Sequence, residues 1–329
     1  MTNFRSKFSE FFVGFNSLTA ACSNTLKFCA DVFVWFSNGQ VKKVSSGDGI
    51  YYQACIHPEG THVVYSGNSS GPPRVWKANL KTGKVVPLTP ADSGARHPVF
   101  TWDGKRIAFS SDRASGQAPA LVEDMDPGGG PPKNLTVNIF TMDSNGMNVK
   151  QLTAGPYQDV RPTFSPDGKH IAFSSNRSGQ RRIWVVSSDG NTEPNPLQEK
   201  GWGGRPWYSV DGKWIFFFTD IEGRHQICKI SAEGGEVVPL PNDDQGQSHE
   251  PFSDPMNERL LIHSTRGGFR LLWRIWELPL DGSPPRRLMP PGFSLAAHPT
   301  RSKNGTITFD VVRFTPLGYV KKFLASFFV

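Results

Sequence analysis

The chain has 329 residues, 37% of them hydrophobic and 12% aromatic, with a formal net charge of +7. That is enough apolar material for one large β domain or two ordinary ones, while no apolar run reaches the roughly 20 residues of a membrane-spanning helix. Lys and Arg are scattered through turns rather than gathered in a run, which argues against nucleic acid as a partner and leaves acidic partners open.

The chain opens with "MTNFRSKFSEFFVGF", where Phe4, Phe8, Phe11 and Phe15 fall on one helical face. Residues 4–15 are therefore predicted to form an amphipathic helix. The apolar stretch is short and broken by Gly14, Asn16 and Ser17, so it reads as a helix rather than a cleaved signal peptide. Residues 1–30 form an N-terminal amphipathic segment in this reading. A strand pair, "DVFVWFSNGQVKKVSS", follows from Asp31 to Ser46.

From Gln53 onward one pattern recurs: "QACIHPEGTHVVYSGN", "HPVFTWDGKRIAFSSDR", "RPTFSPDGKHIAFSSNR", "RPWYSVDGKWIFFFTD", "EPFSDPMNERLLIHSTR" and "HPTRSKNGTITFD". Each is a strand, a tight turn and a second strand. Asp-Gly pairs supply small residues tolerant of positive φ at the turn, and Ile, Val and Phe alternate after it. Turn positions at Gly60, Gly104, Gly168, Gly212, Asn257 and Gly305 give intervals of 44, 64, 44, 45 and 48 residues. A third strand ("RVWKAN", "RIWVVSSDG", "RIWELPLDG") and a fourth ("KVVPLT", "VKQLT", "EVVPLP") complete most units, the weakest being "EPNPLQ". Four short strands on such a period mark a propeller blade.

The copy at His298 lacks its third and fourth strands, and Asp31–Ser46 matches "NIFTMDSNGMNVKQLT" almost position for position. The expected fold is all-β: a six-bladed β-propeller over residues 31–313, with the N-terminal strands joining the last blade and leaving no open sheet edge. Residues 114–138, containing "EDMDPGGGPP", account for the longest interval and read as a solvated loop. Residues 314–329 form a C-terminal amphipathic tail; with the N-terminal segment it offers a peripheral membrane contact, as a membrane-peripheral scaffold subunit would have. Trp76, Trp184 and Trp276 share a third-strand position and are assigned to packing between blades. Cys22, Cys29, Cys55 and Cys228 show no paired spacing, and the last two fall in strands as buried thiols.

The residue that opens each innermost strand should face the channel mouth. In order these are Gln53, His97, Arg161, Arg205, Glu250 and His298, with His249 beside Glu250. Two arginines can hold a carboxylate, Arg205 can pair with Glu250, and histidines with one carboxylate can bind a metal or move a proton. The other histidines, His57, His62, His170 and His225, are read as solvated. No GxSxG, Walker or HExxH motif is present.

The run "RPTFSPDGKHIAFSSNR", followed by "RIWVVSSDG" and "QLT"-type endings, resembles the TolB-like β-propeller repeat over Val32 to Val312. That resemblance implies a periplasmic or other extracytoplasmic location and a non-catalytic propeller that binds a protein or acidic ligand at its channel mouth. More distantly, "SHEPFSDPMNERLLIHSTRGG" and "AAHPTRSKNGTITF" are similar to oligogalacturonate lyases, carbohydrate-active enzymes acting on uronate oligosaccharides. This second resemblance implies catalytic candidates His249 and His298, metal candidates His97, His249 and His298, and a divalent cation, manganese or calcium. That family's later cluster of a glutamine and closely spaced histidines has no match in this chain.

Overall fold

A computed structural model describes residues 26–45, 49–68, 71–113, 135–241, 246–256, 258–266 and 273–316. The helix expected at residues 4–15, the end of the C-terminal tail and nearly all of the 114–138 loop lie outside the described residues. By contact density the chain divides into Asp31–Val311 and a second unit of Met1–Ala30 with Val312–Val329. The repeats all lie in the first unit.

Regular structure among the described residues is entirely β. The chain begins with β1 (Leu26–Trp35) and β2 (Val41–Lys43), which pair antiparallel. Then come β3 (Ile50–Ile56), β4 (His62–Asn68), β5 (Arg74–Asn79) and β6 (Val85–Pro87). Four separate four-stranded sheets follow. The first is β7 (Ala95–Phe100), β8 (Arg106–Ser111), β9 (Asn138–Asp143) and β10 (Lys150–Gln151). The next is β11 (Val160–Phe164), β12 (His170–Ser175), β13 (Arg182–Ser187) and β14 (Asn195–Pro196). It is succeeded by β15 (Gly204–Tyr208), β16 (Trp214–Ile221), β17 (Arg224–Ser231) and β18 (Val238–Pro239). The last comprises β19 (Ser248–Ser253), β20 (Arg259–Ser264), β21 (Arg274–Pro279) and β22 (Arg286–Arg287). The chain ends its regular structure in β23 (Ala297–Arg301) and β24 (Ile307–Pro316).

The remaining sheet has eight strands, in the order β23-β24-β1-β3-β4-β5-β6 with β2 attached to β1. It contains two quartets: β3 to β6, and β23-β24-β1-β2. The second unites both ends of the repeat, as the split pattern in the sequence requires. The innermost strands touch in sequence, β3 to β7, β11, β15, β19, β23 and back to β3, closing a ring of six.

Turn chemistry explains why the repeat folds locally. In "SPDG", the Ser165 hydroxyl donates to Asp167 Oδ1 at 2.6 Å, Lys169 N donates to the same oxygen at 3.0 Å, and His170 N donates to Ser165 Oγ at 2.9 Å. Gly168 takes φ 71°, a left-handed conformation that a Cβ would strain. Thr101–Asp103 and Ser209–Asp211 repeat the arrangement. Alternating strands bury their apolar faces between blades: Ile107, Phe109 and Ile139 pack with Phe164, Ile171 and Phe173, and Trp184 lies against them. Trp76 and Trp276 take the same role in other interblade clusters. Each fully buried Phe or Ile contributes about 1.5–3 kcal/mol. Cys55 and Cys228 are buried free thiols, and burial pushes Cys55 up to about 12.

Between the last two blades an ionic network joins the apolar packing of Ile275 with Phe309 and Phe33. Arg301 Nη1 lies 2.5 Å from Asp254 Oδ2 and its Nη2 lies 3.1 Å from Glu277 Oε1, with both carboxylates buried. Arg286 and Arg259 approach Glu277 from the rim at 2.7 and 3.2 Å.

Candidate functional site at the channel mouth

Gln53, His97, Arg161, Arg205, Glu250 and His298 all adopt left-handed φ angles, between 50° and 57°. Each stands at a register shift in its innermost strand, for example between Arg96 and Val99 or between His249 and Phe252. These residues therefore sit at bulges within the strands rather than at their first positions. A bulge re-aims a side chain, and a non-glycine residue held left-handed costs on the order of 1–3 kcal/mol, which the surrounding sheet must offset. Repeated in every blade, the device delivers all six side chains to one cavity of about 100 Å³. The next residue is proline in five blades, Pro98, Pro162, Pro206, Pro251 and Pro299, and these line the same cavity.

The ring is asymmetric. Arg205 is ion-paired with Glu250, and both are nearly buried. Glu250 Oε2 lies 3.0 Å from His298 Nε2 and 3.8 Å from His263 Nδ1. His298 Nδ1 is held by Asp310, and His298 N–H donates to His263 Nδ1 at 3.1 Å. That bond requires Nδ1 of His263 to be the unprotonated nitrogen. Across the ring, His97 Nδ1 shares a 2.6 Å hydrogen bond with Ser110 Oγ, and His97 N–H donates to Ser66 Oγ at 2.9 Å.

His249 does not line the cavity. It precedes the left-handed residue, so its side chain leaves the ring and packs between Phe218, at 4.3 Å, and Trp273, at 4.7 Å between ring centroids. His249 Nε2 is 2.6 Å from Nδ1 of His225, which is half-buried beside Trp202 rather than solvated. His57 and His62 are also only partly exposed, and His170 is exposed.

Burial, then the neighbouring His263, His225, Arg205 and Arg161, hold His249 well below the usual imidazole range. Burial and the same two arginines act alike on His263. Burial also lowers His298, with Asp310 pulling the other way. His249 and His263 are thus neutral at pH 7, fit to accept hydrogen bonds or to ligate a metal.

His263 and Asp310 are the site members that the repeat pattern did not single out. They occupy one register position, opposite the residue preceding each left-handed one. In chain order that position holds Ser66, Ser110, Ser174, Phe218, His263 and Asp310. Serine there accepts the next blade's N–H, as Ser174 does from Arg205 at 3.0 Å. The replacement of serine by His and Asp is the signal in the sequence that would have revealed them. Of the metal candidates, only His298 joins a compact ligand set: Glu250, His263 and His298 bring ligand atoms within 4.8 Å of one another. His97 and His249 lie outside that set.

A family model described as the TolB beta propeller domain matches residues 131–275. A TolB homolog from Chlorobium luteolum is 27% identical over 150 residues, 39% of this chain and 34% of that protein, so the chain spans about a third of this curated relative. A structure from Agrobacterium tumefaciens, assigned provisionally to TolB, superimposes with a TM-score of 0.66 at 18% identity, covering 88% of this chain and 99% of that one. An oligogalacturonate lyase solved in complex with manganese gives 0.56 at 12% identity, over 83% and 80% of the two chains. These structural likenesses speak to the fold. The chain carries a TolB-like β-propeller.

Proposed function

We propose that this TolB-like propeller is a non-catalytic binding protein whose channel mouth takes a carboxylate presented by a protein partner. The observation that carries the reading is the convergence of Arg161, Arg205, Gln53 and His298 on one small cavity. An apolar cavity of about 150 Å³ admits a benzene molecule. At about 100 Å³ the present one suits a carboxylate with a few carbons. A charge-assisted hydrogen bond from each arginine contributes about 1.5–3 kcal/mol. A lyase acting on uronates would need the ring within reach of a base; of the two catalytic candidates, His249 faces away from the cavity and only His298 lines it. The TolB likeness also supports a location outside the cytoplasm.

The test is calorimetric titration with a capped Gly-Glu-Gly peptide, its Gln counterpart and a digalacturonate. Binding of the Glu peptide alone, weakened about tenfold to a hundredfold by Arg161→Ala or Arg205→Ala, is the expected result. Release of an unsaturated product from the digalacturonate would replace this reading with the lyase.

A divalent cation, manganese or calcium, is a second reading for Glu250, His263 and His298, favoured by the closeness of their ligand atoms. Titration with manganese alone tests it, and Glu250→Ala or His263→Ala should abolish the heat of binding.

A further inference from the structure

Glu250 is the one carboxylate in the ring of six left-handed residues, and it reaches the cavity by the same bulge that delivers the arginines. Its two oxygens do different things: Oε1 is paired with Arg205 Nη1, and Oε2 lies 3.0 Å from His298 Nε2. An acid that engages both Arg161 and Arg205 must take from Glu250 the guanidinium it already holds. Resting on the acid-binding reading above, we propose that Glu250 is an internal competitor, a resident carboxylate that a ligand's carboxylate displaces from Arg205.

Two features make such an exchange inexpensive. A nearly buried ion pair contributes little net stability, because desolvation consumes most of its Coulombic gain. Replacing one carboxylate by another on Arg205 therefore leaves the balance almost unchanged. Glu250 also has somewhere to go. His298 Nε2 remains 3.0 Å away, and when the imidazole is protonated, as Asp310 at 2.7 and 2.8 Å from Nδ1 favours, Nε2–H donates to Glu250. A carboxylate whose sole partner was Arg205 would instead be left buried and unpaired, at a cost of several kcal/mol.

The consequence is a threshold for entry. A neutral amide cannot replace a carboxylate on Arg205 without leaving that buried cation uncompensated, so the pair stays shut against it. An acid opens the pair by substitution. The competitor lowers affinity for every acid by the fraction of the time that Glu250 holds Arg205.

The experiment uses the full chain, with propionate and propionamide as probes, read by shifts in ¹H–¹⁵N spectra. Glu250→Gln and Glu250→Ala are compared with the wild type, after circular dichroism confirms that each is folded. If Glu250 occupies Arg205 about nine-tenths of the time, its removal tightens propionate about tenfold. Propionamide, which binds neither form well, should gain little, so its gap from propionate widens in the alanine variant. Arg205→Ala should abolish the gain in combination with either change. Wild-type binding that is unchanged or weakened in both Glu250 variants overturns the competitor and leaves acid binding standing. Absence of propionate binding in all three proteins overturns acid binding itself.

Discussion

Nδ1 of His298 sits between both oxygens of Asp310, at 2.7 and 2.8 Å, in a register where three other blades place serine. The carboxylate fixes the imidazole and favours its charged form, against the burial that disfavours it. Asp310→Asn keeps an acceptor of the same shape and removes the charge. The titration of His298, followed by its ring resonances, should move to lower pH in that variant. An unchanged midpoint would mean that Asp310 only positions the ring.

Stability should fall on mild acidification. His249 and His263 have folded proton affinities well below their unfolded value, near 6.5. Above about pH 6.5 neither state binds the proton, and these residues add no pH dependence. Below it the unfolded chain takes up protons that the folded chain refuses, so stability is lost as pH falls, by about 1.4 kcal/mol per unit for each histidine. His298, His57 and His62 are lowered too and act with the same sign. Urea midpoints should be level between about pH 8 and 7 and drop steadily from 6.5 to 5.5. His249→Phe, which can keep the stacking on Phe218, should make the drop shallower.

Arg301 joins the fifth blade to the sixth through two buried carboxylates. Arg301→Met keeps much of the side-chain volume and removes the cation. The loss of one partner from a buried ionic group costs about 3–5 kcal/mol, which should appear as a large fall in the urea midpoint. Asp254→Asn in the same chain should restore part of it. A loss under about 1 kcal/mol in the single variant would place this network among surface pairs of little consequence.

The propeller was legible because its signals are local. "SPDGK" and "SVDGK" state their turns within five residues, and the strand following each alternates in plain view. The split last blade was legible because Asp31–Ser46 repeats a pattern found elsewhere in the chain. The six ring residues could be read from repeat register alone. The aim of His249 could not, because the bulge that turns Glu250 inward turns its neighbour away. His225 reads as solvated in the sequence, and only the packing of β17 against β19 brings it to His249. His263 and Asp310 lie on second strands, where a channel argument built on first strands does not look.

The six left-handed residues separate aim from chemistry. The direction of each side chain is set by backbone bulges, five of them locked by a following proline, and by N–H bonds such as those from His97 to Ser66 and from Arg205 to Ser174. Identity is then free: glutamine, histidine, arginine and glutamate occupy equivalent sockets. A single substitution at a socket can rewrite what the mouth recognises while the blades beneath keep their packing. Selection, or a designer, has six equivalent addresses on one rim, each changed by one codon.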